Sequence, residues 1–204
     1  MDYLFNSINT GSVNQIKESL DNGVDVNCKN HNQDTPLRIA IIKRNMKKNC
    51  DKNYLNIIKL LLNYGANPNI KSKILGSTPL LLAIYKKDYE LVLLLIQNGA
   101  NINLPNKLYN YPLISAAKYG SLKIVKLLLE NGAKILNKNF ENSTAYHEAC
   151  RYNNNNIENY LTLWPVIKIQ RQWKIKMQKR FGTKILLIAS NLPEIIIEII
   201  VSYI

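Results

Sequence analysis

The residues best placed for chemistry are in the stretch Tyr146-His147-Glu148-Ala149-Cys150, where a thiol, an imidazole and a carboxylate fall within one helical turn. A cysteine beside a histidine is the pairing that thiol catalysis uses, with the ring taking the thiol proton. The spacing opposes it. A residue three positions along the same helix is poorly placed to act as the base. His147 instead stands where a helix start needs a hydrogen-bonding side chain. The other histidine, His31, lies in a turn-rich segment. Cys28, Cys50 and Cys150 have neither pairing nor metal-ligand spacing and read as reduced thiols. The chain has no phosphate-cradling GxxxxGK[ST], no HExxH and no CxxC. Enzyme activity, a cofactor and a metal are therefore not expected, and the chain should act by binding.

The elements that would position a binding surface are marked by recurring punctuation. Four segments close alike, "SLDNGVDVN", "LLNYGANPN", "LIQNGANIN" and "LLENGAKIL", with glycines at 23, 65, 99 and 132. "DTPLRIAI", "STPLLLAI" and "NYPLISAA" stand ahead of the later three. A period near 33 residues is the mark of a solenoid. Within a unit, Thr35 or Thr78 sits where an N-cap hydroxyl satisfies open amides, and Pro36 or Pro79 follows at the first helical position. Small residues (Ala40, Ala83, Ala116) let a neighbouring helix approach. A second helix carries apolar positions such as Ile124, Val125, Leu127, Leu128 and Leu129, and a glycine ends it before a hairpin-like finger. No such unit buries its apolar face alone, so stability accumulates by stacking and the leucine triplets are core.

These units resemble ankyrin repeats, which begin TPLH, carry a mid-unit glycine and a leucine triplet, and close GADVN. That register gives five units: to Asn30, to Ser72, to Asn106, to Asn139, and a fifth opening at "STAYHEAC". The second holds about ten extra residues within "IIKRNMKKNCDKNYLN", and the fifth departs enough to read as a capping repeat. The resemblance implies an all-α solenoid of helix-turn-helix repeats with hairpin fingers, whose fingers and first helices grip a protein target. The finger residues it singles out are Asn30, His31 and Asn32; Lys71 and Lys73; Leu104, Pro105 and Asn106; and Phe140 within Lys138 to Glu141.

Twenty-seven basic residues against fourteen acidic ones give a formal charge of +13. The excess is uneven. Between Asn159 and Pro193 there is no acid, while seven lysines and arginines occur there. Beyond Trp164 the repeat rhythm stops, which divides the chain into residues 1–163, the repeats, and 164–204, a small helical C-terminal region. Val166, Ile169, Trp173, Met177 and Phe181 define one apolar helix face among basic residues. Such a helix suits calmodulin or an anionic membrane, or it covers the end of the stack, which is the simpler reading. Ile169, Gln170, Lys174 and Lys179 match an IQ motif only in part. Nucleic acid is not expected, because no nucleic-acid-binding motif accompanies the charge.

The chain closes with "LPEIIIEIIVSYI", apolar on all but a thin stripe through Glu194, Glu198 and Ser202. Carboxylates at a membrane helix centre cost about 2.5–3.5 kcal/mol each, which offsets the isoleucines and disfavours a span. The segment resembles the opening of an F-box, through Leu192, Pro193, Ile196, Ile200 and Ile204. A short F-box-like (PRANC) element behind ankyrin repeats is similar to the arrangement in ankyrin proteins of poxviruses and intracellular bacteria. The resemblance implies docking of those five residues on the Skp-type adaptor of a cullin–RING ubiquitin ligase. The alternative is a plain ankyrin scaffold or inhibitor whose terminal helices only cap the stack. The start "MDYLFNSINTGS" lacks the pattern of a secretory signal, so an intracellular protein is expected, and the resemblance implies the cytoplasm or nucleus of a host cell.

Overall fold

The computed structural model describes residues 2–46 and 52–181. Helices come in pairs: α1 (Asp2–Thr10) with α2 (Val13–Asp21), α3 (Pro36–Met46) with α4 (Lys52–Asn63), and α5 (Pro79–Tyr85) with α6 (Tyr89–Gln97). They continue with α7 (Pro112–Tyr119) and α8 (Leu122–Glu130), then α9 (Ala145–Arg151) and α10 (Asn155–Phe181). No strand occurs among the described residues, and the fingers are loops stabilised by turns. The all-helical repeat architecture expected from the sequence is the one observed. Two compact bodies are present, one ending at Ile157 and one beginning at Glu158. Helix α10 runs through that division and through the 163/164 line suggested by the end of the repeat rhythm.

In the first body the odd-numbered helices form one row, α1 beside α3, α3 beside α5, α5 beside α7 and α7 beside α9. In the outer row α2 lies against α4, and α6 against α8. Alanines at matched positions of the inner row (Ala40, Ala83, Ala116, Ala149) are fully buried, so the close approach read from their size is realised. Leu37, Ile41, Leu80, Ile84, Leu91 and Leu128 fill the space between helices. Each such side chain contributes on the order of 1.5–3 kcal/mol by leaving water.

Helix starts follow the sequence. The Thr35, Thr78 and Thr144 hydroxyls accept from the amides of Arg38, Leu81 and His147, and prolines begin α3, α5 and α7. Helix ends rely on backbone geometry. Gly99 adopts φ 82°, which lets its own amide and that of Ala100 return to the carbonyls of Ile96 and Leu95. Gly120 meets a second demand, since a Cβ there would come within 2.6 Å of Asn154 Oδ1. Asn154 approaches so closely because its Nδ2 donates to the carbonyls of Ala117 and Lys118 at the end of α7.

Successive repeats are joined by one recurring asparagine. Asn69 Nδ2 donates to the Gly99 carbonyl (3.0 Å), and its Oδ1 accepts from the Asn101 amide (2.7 Å). Asn27 does the same to Gly65 and Asn67, and Asn103 to Gly132 and Lys134. The residue two earlier (Asp25, Asn67, Asn101) holds the bridging asparagine by accepting from its amide. The closing triplets DVN, NPN and NIN are thus a turn followed by a bridge. The fourth repeat has Lys134-Ile135-Leu136 there, and Leu136 is 81% exposed.

The additional residues of the second repeat partly lengthen its helices, to 11 in α3 and 12 in α4, against seven to nine in α5 to α8. The longer α3 carries Arg44, only 2% exposed, whose Nε meets Asp88 Oδ2 at 2.7 Å. Its Nη2 reaches Glu90 at 3.3 Å. Asp88 is also the N-cap of α6, accepting from the Leu91 amide. One buried cation therefore joins the second repeat to the outer helix start of the third.

In the C-terminal body, taken alone, the described part is a single helix. Thr162 donates to the Glu158 carbonyl, and Arg171 lies over the Trp164 ring at 5.7 Å. Pro165 lies inside α10 and removes one donor from its ladder. No helix among the described residues is long and apolar enough to cross a membrane.

Two measurements check this account. Arg44→Met leaves Asp88 buried without its counter-charge and is expected to cost roughly 3–5 kcal/mol in urea unfolding. Asn69→Ala removes both bridging bonds and should cost about 1–2 kcal/mol, whereas Leu136→Ala, at the unbridged position, should leave the midpoint unchanged.

Candidate functional site

Each finger after the bridging asparagine is a closed loop. The backbone amides of Asn30, Ser72, Asn106 and Asn139 donate to the carbonyls of Asp34, Ser77, Asn110 and Ser143 across the loop. In three fingers the first residue's side chain holds the loop from inside. Asn30 Oδ1 accepts from Asn32 and Asp34, Asn106 Oδ1 from Leu108 and Asn110, and Asn139 Oδ1 from Glu141 and Ser143. Ser72 serves in the second, accepting from Ser77. Every tip turns through a left-handed residue: Gln33 at φ 62°, Gly76 at 65°, Tyr109 at 55° and Asn142 at 59°. Only one of these is glycine.

With the loop interior occupied by polar bonds, the tip side chains point outward. Ile74 is 83% exposed, Leu75 56%, Leu108 51%, Tyr109 56% and Phe140 80%. Backbone bonds bring these tips together, Lys107 N to Leu75 O at 3.0 Å and Phe140 N to Leu108 O at 3.3 Å. Lys107 Nζ further donates to the Lys73 carbonyl at 2.6 Å. The result is a ridge of exposed apolar side chains over three adjoining fingers. Isolated apolar residues on a surface are ordinary, whereas several gathered on adjoining loops make a candidate interaction surface.

The residues singled out from the sequence divide into three groups. His31, Asn32, Lys71, Lys73 and Phe140 are exposed on fingers. Leu104 and Pro105 are half-buried in the loop leading to the third finger. Asn30 and Asn106 spend their side-chain oxygens on their own loops. Sequence reasoning missed Ile74, Leu75, Leu108 and Tyr109. The available signal was their place between the loop-holding Asn or Ser and the next helix start, where apolar residues have no core to enter. The five C-terminal residues, Leu192, Pro193, Ile196, Ile200 and Ile204, lie outside the described residues.

The groups that first suggested chemistry have structural duties. His147 Nδ1 lies 2.8 Å from Thr144 Oγ1 and accepts from the Thr144 amide, closing a capping box. Glu148 is 1% exposed and pairs with Arg151 at 3.1 Å. Arg151 also binds Glu141, and this hydrogen bond and charge hold the Glu141 carboxyl below its ordinary value. Burial first, and the charge of Asp25 second, push the Cys28 thiol up, which keeps it protonated and a poor nucleophile at neutral pH. No group of three or more metal-binding side chains occurs among the described residues.

The family model for ankyrin repeats (3 copies) matches residues 4–106 and 82–172. The chain belongs to the ankyrin-repeat family. An ankyrin repeat protein of fowlpox virus is 36% identical over 123 residues, 60% of this chain and 19% of that protein. An ankyrin repeat protein of Acanthamoeba polyphaga mimivirus is 26% identical over 159 residues, 78% of this chain and 20% of its own length. The probable 26S proteasome regulatory subunit p28 of Saccharomyces cerevisiae is 35% identical over 104 residues, half of this chain and 42% of that subunit. The chain thus spans well under two thirds of these relatives' lengths. Ankyrin repeats are protein-interaction modules, and the finger ridge of this one presents exposed apolar side chains on three adjoining fingers.

The left-handed conformation at Tyr109 makes a measurable prediction. A side chain held there costs about 1–2 kcal/mol. Tyr109→Gly should therefore be more stable than Tyr109→Ala by about 1 kcal/mol in urea unfolding, the reverse of the usual order.

Proposed function

We propose that this protein is an adaptor in which the ankyrin fingers hold a protein target and the C-terminal segment delivers it to a ubiquitin ligase. The observation that carries the first half is the ridge of Ile74, Leu75, Leu108, Tyr109 and Phe140, exposed on three linked fingers. Exposed apolar side chains gathered on one edge gain by leaving water when a partner covers them, and tyrosine is a residue type enriched among those that dominate binding energy.

The second half is supported by the F-box-like pattern of Leu192, Pro193, Ile196, Ile200 and Ile204 in sequence behind the repeats. Likeness to poxviral ankyrin proteins, and to a protein named as a proteasome regulatory subunit, favours a place in regulated protein turnover. The partner of that segment is then the Skp-type adaptor of a cullin–RING ligase, and the site of action is the cytoplasm or nucleus of a host cell.

The test is capture of purified Skp-type adaptor by the full chain and by its Pro193→Ala/Ile196→Asp variant. A loss of at least tenfold in affinity, with the thermal midpoint unchanged, is expected, since a buried aspartate in an apolar groove costs well over 1.4 kcal/mol. Equal capture by both chains, or capture by neither, sinks the ligase half and leaves a binding scaffold.

A further inference from the structure

Ahead of the apolar ridge, between the first and second fingers, lies an open cleft of about 260 Å³ lined by Lys29, Gln33, Lys71 and Lys73. Three ammonium groups line it and no carboxylate does. The nearest acid on the first finger beyond its turn, Asp34, is already held by Arg38 in an i, i+4 ion pair. On the fourth finger Glu141 is likewise held by Arg151. Lys107, on the third finger, adds a further cation beside Lys73. The finger edge is therefore polarised, with uncompensated positive charge at the first and second tips and apolar side chains over the second to the fourth.

We propose that the target is recognised through an extended, bipartite segment of a partner protein, with a cluster of Asp and Glu residues seated in the lysine cleft and apolar side chains on the ridge. This deepens the proposed target-binding function of the fingers and rests on it. The argument is charge complementarity. Like charges gathered in one cleft repel, and a partner of opposite sign relieves that repulsion. The alternative of internal relief is closed, because the carboxylates on these tips already have basic partners within the stack. Fixed spacing between cleft and ridge also gives the protein a way to discriminate. A segment with only acids, or only apolar residues, engages half of the surface, while one with both gains the two sets of contacts in a single association.

Selection of a random-sequence displayed peptide library against the full chain tests the proposal and requires no identified target. Three baits are compared: the wild-type protein, Lys29→Gln/Lys71→Gln/Lys73→Gln, and Ile74→Ser/Leu108→Ser/Phe140→Ser. All six positions are exposed, and circular dichroism confirms that each bait is folded. Wild-type selections should enrich peptides carrying an acidic run at one end and Leu, Phe, Tyr or Trp at the other. The lysine variant should bind those peptides at least tenfold more weakly and select peptides without the acidic run. Affinity for the wild-type protein should fall with rising salt. Apolar enrichment that is indifferent to the lysines and to salt overturns this inference and leaves the ridge intact as a target site. If no selected peptide depends on the ridge substitutions, the target-binding reading of the fingers falls as well.

Discussion

At the start of the second, third and fourth fingers the chain leaves the outer helix through a left-handed glycine, and that turn leaves a backbone carbonyl and, two residues on, a backbone amide facing the preceding repeat. Neither has a partner within its own repeat. One asparagine side chain from the repeat before, which is both donor and acceptor, meets the two together at Gly65 and Asn67, at Gly99 and Asn101, and at Gly132 and Lys134. Aspartate has the acceptor but no donor, and leucine has neither. The regular advance of the stack depends on this bridge, because it fixes each finger relative to the last while the helices behind it are held mainly by non-directional apolar contact.

The bridge also explains why the tips are free to bind. Polar groups of each loop are satisfied by Asn30, Ser72, Asn106 and Asn139 from within, and by the bridging asparagines at the base. No hydrogen bond that closes these loops comes from Ile74, Leu75, Leu108 or Phe140 side chains, so their identity is open to selection for a partner. This chain places isoleucine, leucine, tyrosine and phenylalanine there, where water is the default neighbour, and accepts a left-handed tyrosine in doing so. At Leu136 the bridging residue is lost, and with it the means of docking a further finger of the same kind.

A second constraint acts between the second and third repeats. Arg44 lies on the part of α3 lengthened by the additional residues, and its buried charge is met by the N-cap of α6. The described part of the additional residues contributes a buried ion pair between repeats.

Local chemistry made much of this legible in advance. Thr78 before Pro79 marks a helix start because a hydroxyl and a missing donor suit the same four open amides, whatever surrounds them. Glycine at intervals near 33 residues marks helix ends because few other residues tolerate that backbone. The all-helical repeat stack, the core leucines and the capping role of His147 follow from such short-range rules. The binding ridge does not. Ile74, Leu75, Leu108 and Tyr109 are not singled out by type or spacing, and nothing in the sequence near Arg44 marks its charge for burial. Their exposure and burial depend on which repeat lies beside them, a relation between residues more than 30 positions apart. The sequence by itself determined the repeat, its register and its local turns, because those are set within one unit. Only the tertiary structure decided which side chains the stacking leaves bare and which charge it encloses, because burial is a property of neighbours brought together by the fold.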